Sequence, residues 1–179
     1  MSKLVAFART YAIAAHNAVG QTRKYTKKPY HAHPSSVANT VSRFGARDEV
    51  IAAAWLHDVL EDTQVTYEQL REFFGDEVAF LVLELTERPR KGKRAHRKRI
   101  ECRRLARVSE EAQMIKLADL IDNTKDIVKY DPDFARVYLK EKAALLAVLT
   151  KPVGVFKQRA EWSLDFAWKH LAGEGGEDA

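Results

Sequence analysis

Three observations predict an all-α domain. Alanine, leucine, lysine, arginine and glutamate dominate the 179 residues, while glycine (8) and proline (5) are scarce, a balance that favours helices over strands. Apolar residues recur at spacings of three and four along most of the chain, the period of one helix face. Residues that start and stop helices punctuate these stripes, and no segment reads as half of a strand pair.

Taken in order, Leu4, Phe7, Ala8, Tyr11, Ala15 and Ala18 trace a first helix that ends at Gly20, since glycine is favoured just past a helix end. Residues 21 to 33 form a polar, basic loop. Pro34 opens a second helix, where its missing N–H is no loss, and Val37, Val41 and Phe44 form its stripe up to Gly45. Asp48 is the expected cap of a third helix carrying Val50, Ile51, Ala54, Trp55 and Leu56. Thr66 with Gln69 makes a capping box for a short fourth helix that Gly75 breaks, and Asp76 opens the next through Val78, Leu81, Val82 and Leu85. Pro89 and Gly92 mark a loop, followed by a helix from about His96 to Arg107. Ser109 caps a long helix through Met114, Ile115, Leu117, Ile121 and Ile127. Asp131-Pro132-Asp133 is a turn and a new cap, and two further helices are separated near Pro152. The expected organisation is a single domain over 1–172 and a disordered, glycine-rich acidic tail over 173–179.

Composition removes several classes of function. The single cysteine, Cys102, allows no intramolecular disulfide and reads as a reduced thiol of a cytoplasmic protein. No apolar run approaches the ~20 residues that span a bilayer, so no membrane is expected. The N-terminal Lys3-Leu4-Val5-Ala6-Phe7 is interrupted by Arg9, Thr10 and His16, which makes it an amphipathic helix rather than a signal peptide. The net charge of +5 is unevenly placed: Arg88 to Arg107 holds eleven Lys/Arg and one acid, Glu101. Such a cluster suits an anionic partner, a nucleotide or a nucleic acid, although charge runs are usually solvated faces. It lacks aromatic residues for stacking, so nucleic-acid binding is poorly supported.

Three pieces carry candidate chemistry: His33-Pro34, then His57-Asp58 with Glu61-Asp62 one turn on, then Asp119 with Asn123 four residues later. Leu56, Val59 and Leu60 belong to a buried face, where a His-Asp pair is costly unless something binds it. Helical spacing would set His57 above Glu61 and Asp58 above Asp62. A divalent cation resolves that crowding by pairing the carboxylates and taking a neutral imidazole. His33, His57, Asp58 and Asp119 make a set of two nitrogens and two oxygens, which suits Mn²⁺, Fe²⁺, Co²⁺ or Zn²⁺ better than Ca²⁺. Each piece alone has a bland explanation, but their order on successive helices is specific. His16, His31, His96 and His170 lack such company and read as structural or exposed.

These motifs resemble RelA/SpoT-type hydrolase domains of the HD class. Pro29-Tyr30-His31-Ala32-His33-Pro34-Ser35-Ser36-Val37-Ala38 is similar to that family's Pro-Tyr-x-x-His-Pro-x-x-Val-Ala. Leu56-His57-Asp58-Val59-Leu60-Glu61-Asp62-Thr63 resembles its Leu-His-Asp-x-x-Glu-Asp-Thr, and Lys116-Leu117-Ala118-Asp119 with Asn123 resembles its Lys-Leu-Ala-Asp-x-x-x-Asn. Gln21-Thr22-Arg23-Lys24 matches its Gln-x-Arg-Lys loop. The likeness covers roughly residues 4 to 150, leaves no room for a synthetase domain, and is strongest to stand-alone small alarmone hydrolases.

The resemblance implies an HD-domain helical bundle with one metal ion, Mn²⁺, on His33, His57, Asp58 and Asp119. Glu61 and Asp62 would position or deprotonate the attacking water. Arg23 would stack on a purine, Lys24 would face phosphates, and Asn123 would bind near the ribose or base. Apart from the resemblance, Lys116 and, from the basic cluster, Arg94 and Arg97 are expected to contact the substrate. The implied reaction removes the 3′-pyrophosphate of guanosine tetra- or pentaphosphate. Three departures bear on the substrate: Tyr25-Thr26-Lys27-Lys28 lacks the family's glycine, Asp122 stands where an aromatic residue or histidine is usual, and the segment from Arg88 to Arg107 is unusually basic. An HD phosphohydrolase acting on another phosphorylated nucleotide, such as a nucleoside phosphate or NADPH, and a nucleic-acid-binding module are the alternatives. The oligomeric state, a homodimer included, stays open.

Overall fold

The computed structural model describes residues 1–87, 91–152 and 154–173. Its described residues form helices and turns, with no strand beyond an isolated bridge between Thr22 and Pro29, so the all-α expectation holds. The helices are α1 (Lys3–Ala18), α2 (Ala32–Arg43), α3 (Asp48–Leu56), α4 (Val59–Asp62), α5 (Tyr67–Leu85), α6 (Arg94–Leu105), α7 (Glu110–Tyr130), α8 (Pro132–Val148) and α9 (Val155–Ala172). None is long and apolar enough to cross a membrane.

The centre of the bundle is α3. Val50, Ala52, Ala53, Ala54, Trp55 and Leu56 are all buried, so the helix is apolar nearly all round. Its run of alanines lets α1, α2 and α5 pack close against it. A helix without a polar face must sit inside a domain. The second spine is α7, which packs on α2 and α9 and buries Ile115, Leu117, Ala118, Leu120 and Ile121. Truncating a fully buried leucine such as Leu56 or Leu120 to alanine costs about 2–5 kcal/mol. His57 thus follows directly on the buried α3, and Asp119 lies on the buried face of α7.

Local signals account for most helix ends. The Thr66–Gln69 capping box forms, Ser109 accepts from the N–H of Ala112, and Asp131 accepts from that of Phe134. Gly75 breaks the helical path as a kink (φ 82°, ψ 167°) within α5, rather than as a gap. Three boundaries differ from expectation. Helix α2 begins at Ala32 with His31 as its cap, so Pro34 lies inside the first turn, where backbone N–H groups have no helical partner anyway. Arg47 rather than Asp48 caps α3, and Asp48 instead joins Glu49 in the first turn, where acids favour the helix dipole. Helix α6 starts at Arg94, two residues early, and ends at Leu105.

The most consequential difference is at the His-Asp motif. Helix α3 stops at Leu56, His57 is its C-cap, and Asp58 caps the single turn α4. His57 and Asp58 thus sit at a corner of the backbone, not on the shaft of one helix. At the other end of the chain, Gly173 closes α9 in the left-handed conformation. The rest of the expected tail, 174–179, lies outside the described residues, as do Arg88, Pro89 and Arg90 of the basic segment.

Candidate metal centre and active site

Each of the two motif histidines is fixed through its Nδ1. His33, buried on the first turn of α2, has Nδ1 2.7 Å from Asp122 Oδ2. A carboxylate at neutral pH only accepts, so this Nδ1 carries a proton and donates it. His57, also buried, has Nδ1 2.8 Å from the carbonyl oxygen of Ala54, which again can only accept. Both rings therefore turn Nε2 to the same point. His57 Nε2 is buried without a hydrogen-bond partner and lies 3.1 Å from Asp58 Oδ2. His33 Nε2 lies 3.6 Å from Asp58 Oδ2 and 3.3 Å from Asp119 Oδ1.

That donor set fits a divalent cation. Ligand atoms of His33, His57 and Asp58 lie within 4.8 Å of one another. An orphaned imidazole nitrogen beside a buried carboxylate is costly in a low-dielectric interior unless a cation meets it. Without one, a proton answers the same demand. Burial opposes charge on His33, but Asp119, Asp122 and Asp58 outweigh it and push its pKa up to about 9. Asp58 responds oppositely: burial would raise its pKa, yet His57 and His33 hold it well below the ordinary carboxylate range.

Asp119, the fourth residue of the sequence-derived set, faces His33 but stands outside that mutual 4.8 Å grouping. Its oxygens are held by residues one turn away on α7: Lys116 Nζ lies 2.8 Å from Oδ2, and the Asn123 amide donates to Oδ1. Two residues of this shell were not singled out as site residues. Asp122 orients His33, a carboxylate–histidine pairing typical of metal sites. Tyr30 donates its hydroxyl to Asp58 Oδ2 at 2.5 Å. Asp122 carries a readable signal, three residues after Asp119 on the same helix, but its partner 89 residues away is visible only in three dimensions.

Glu61 and Asp62 do not stack on His57 and Asp58 as an unbroken helix would dictate. The corner after Leu56 turns them outward. Glu61 accepts from the backbone N–H of Glu87, and Asp62 Oδ2 accepts from Gln21 Nε2 at 2.8 Å. Neither orients His57, whose Nδ1 is taken by Ala54. Glu61 is exposed as a residue, yet protein atoms crowd its carboxyl. That burial, opposed by the Glu87 N–H and reinforced by Asp58, pushes its pKa up to about 7.

A cleft of about 440 Å³ lies beside the centre, lined among others by Arg23, Lys24, Tyr25, Tyr30, Asn123 and Phe134. Arg23 bonds Asn123 Oδ1 at 3.2 Å and lies 3.3 Å from Asp122 Oδ2, which ties the entry loop to α7. Lys24 lies 3.5 Å from Asp131. The glycine-free loop still turns tightly: Lys27 takes a positive φ of 55°, the conformation that a glycine adopts without steric penalty. Arg94 also lines the cleft but is paired in a two-pronged contact with Glu141 at 2.7 and 2.8 Å. Lys116 lines a smaller space of about 90 Å³ that shares Arg94, Tyr138 and Lys142 with the cleft, and Arg97 lines neither space.

Tyr138 and Lys142, absent from every motif, line both spaces. They stand four apart on α8 and share a face. The Tyr138 hydroxyl is buried without a hydrogen-bond partner. Burial, against the pull of Asp119 and with the repulsion of Lys116 and Lys98, brings the Lys142 pKa down to about 8. Their spacing was legible in the sequence, but nothing distinguished it from an ordinary helix face.

Comparison with known proteins gives a consistent likeness. The family described as HD domain matches residues 8–156. A protein of Aquifex aeolicus named guanosine-3′,5′-bis(diphosphate) 3′-pyrophosphohydrolase is 33% identical over 154 residues, covering 85% of this chain and 22% of that protein. The Xenopus tropicalis protein of that name, MESH1, is 36% identical over 116 residues, 63% of this chain and 64% of its own length. The chain thus spans about a fifth of the bacterial relative and just under two thirds of the frog one. Among solved structures, one described as a metazoan ortholog of SpoT that hydrolyzes ppGpp superposes with a TM-score of 0.82 at 27% identity, covering 97% of this chain and 98% of that one.

Proposed function

The chain belongs to the HD domain family, and from that premise we propose that it hydrolyses the 3′-pyrophosphate of guanosine tetra- or pentaphosphate, with Mn²⁺ as its divalent ion. The observation that carries the reading is the convergence of two buried Nε2 atoms on Asp58, each ring locked by its own Nδ1 bond. His33, His57 and Asp58 would hold the ion, with Asp119 as fourth ligand once its Asn123 contact yields. The ion supplies a lowered pKa for water and polarises a phosphoryl oxygen.

The chain's own residues do the rest. The bond that breaks joins the ribose 3′ oxygen to the nearer phosphorus; water gives its oxygen to that phosphorus, pyrophosphate departs, and the ribose oxygen leaves with a proton. Glu61, with a pKa of about 7, suits a proton acceptor working near neutrality. Asp62, tied to Gln21, would orient the water. Lys116 and Asn123 set the direction of Asp119. Arg23 presents a planar cation at the cleft for a purine face, with Tyr25 and Phe134 nearby. Lys24, Lys142 and the Tyr138 hydroxyl, which line the same cleft, would meet phosphates, with Arg94 joining them once its Glu141 pairing yields. Arg97 is not retained as a contact, since it lines neither space.

The test is product analysis on guanosine tetraphosphate with and without Mn²⁺. GDP and pyrophosphate, formed only with the metal, are expected. Orthophosphate release, or turnover only on nucleotides lacking a 3′-pyrophosphate, would overturn the substrate and leave a phosphohydrolase of another nucleotide.

A further inference from the structure

His16 has no place in any motif, yet it is fully buried and holds a site residue through an intermediary. It sits in the last turn of α1, 0% exposed. Its Nδ1 lies 2.6 Å from Gln21 Oε1, and Gln21 Nε2 lies 2.8 Å from Asp62 Oδ2. The backbone repeats the tether, because the Gln21 N–H donates to the His16 carbonyl at 3.1 Å.

Donor logic fixes every proton in this chain. The carboxylate of Asp62 can only accept, so the Gln21 amide must turn its NH₂ to Asp62 and its oxygen to His16. An oxygen accepts only if His16 Nδ1 carries the proton. Burial, ahead of the Gln21 bond that opposes it, lowers the pKa of His16, in keeping with a neutral ring whose Nε2 is bare. That Nε2 has no hydrogen-bond partner. Gln21 alone could flip its amide or swing away, since a glutamine side chain has three soft torsions. With its oxygen held by His16 it cannot flip without setting its NH₂ against the His16 Nδ1–H and its oxygen against the Asp62 carboxylate.

We infer that His16 is a positioning residue for the hydrolytic reaction, acting through the Gln21 amide to hold the Asp62 carboxylate in one orientation. The inference rests on the reading above that Asp62 orients the attacking water. His16 also packs at 4.7 Å on the ring of Tyr30, whose hydroxyl bonds Asp58. One buried ring in α1 thereby steadies both sides of the His-Asp corner. His16 and Gln21 are neighbours in the chain, but Asp62 lies 41 residues from Gln21 and reaches it only in the folded protein.

The experiment is a double-mutant cycle with a spectroscopic control. His16→Phe keeps the ring volume but cannot donate. It should lower kcat by about tenfold to about a hundredfold, the scale of a small misplacement of a reacting group, with KM and Mn²⁺ saturation within about twofold of wild type. Gln21→Met, which keeps the length without the amide, should do the same and serves if His16→Phe fails to fold. In an Asp62→Asn background neither change should cost further activity, because the carboxylate they position is gone. Losses that multiply with Asp62→Asn would overturn the inference. A proton–nitrogen correlation spectrum of the wild type should show His16 protonated on Nδ1 and bare on Nε2, and Asp62→Asn should shift that Nδ1 resonance. The opposite tautomer would overturn the relay. If the wild type released no pyrophosphate from guanosine tetraphosphate, the proposed substrate would fall, while the spectrum would still decide the relay.

Discussion

At the metal centre His33 and His57 aim their Nε2 atoms at one point, where a cation would meet both; along α6 three of the six arginines and lysines, Arg94, Lys98 and Arg104, are already engaged within the fold. Arg94 is gripped by Glu141 of α8, Lys98 lies 2.9 Å from Glu87, and Arg104 bonds Glu101 and the Glu84 and Leu85 carbonyls. The segment richest in positive charge therefore offers less free charge to a ligand than its composition suggests. Lys142 of α8 has no ion pair or hydrogen bond among the described residues and lines both the cleft and the smaller space beside it. Unpaired polarity in a buried place points to a ligand, and abundant charge on a helix surface does not.

The largest expected effect lies at the centre. His57→Ala or Asp58→Ala should abolish both stoichiometric metal binding and turnover, because each removes one of three donors already within reach of one another. Metal content by elemental analysis and a rate assay decide it. A variant that kept one metal per chain and a near-normal rate would break the contrast, since the polarity there would then be structural only.

Next is Glu61→Gln. It should lower kcat by ~10²–10⁴-fold, the usual worth of a positioned proton acceptor, while leaving metal content intact. Recovery of the rate at saturating Mn²⁺ would instead make Glu61 a support of the metal site.

A smaller effect is expected at Asp122. Asp122→Asn replaces an obligate acceptor by a group that can also donate, so His33 loses its fixed tautomer. Metal affinity should weaken by ~10–100-fold, and excess Mn²⁺ should restore the rate. An unchanged affinity would show that the α2 backbone alone fixes His33.

The gentlest test sets the two cationic regions against each other. Lys142→Met should raise KM by about tenfold in a salt-sensitive way, whereas Arg97→Gln, outside both spaces, should leave it nearly unchanged. The pH dependence sharpens this. A lysine with its pKa brought down to about 8 is charged below that pH and neutral above it. KM of the wild type should therefore rise between about pH 7 and 9, and Lys142→Met should lack that rise. Equal effects of the two substitutions would erase the distinction drawn here.

Much of this molecule was legible in its sequence because the governing forces are local. Helix formation depends on neighbours three and four residues apart, so the stripes, the Thr66–Gln69 box, the Ser109 and Asp131 caps and the stop at Gly20 could be read directly. His33, His57 and Asp58 stood out because ionisable side chains amid apolar residues need a reason to be there. The tertiary structure decided what distance in sequence conceals. It broke the helix at Leu56 and sent Glu61 and Asp62 to Glu87 and Gln21 instead of to His57. It gave His33 to Asp122, paired Arg94 and Lys98 of α6 with distant glutamates, and left the buried Tyr138 hydroxyl without a hydrogen-bond partner among the described residues. Periodicity tells which face of a helix is buried, but whether a charge there is satisfied depends on which other face the fold brings against it. That second fact is a property of packing, settled by side chains as far as a hundred residues apart, as Arg23 and Asn123 are.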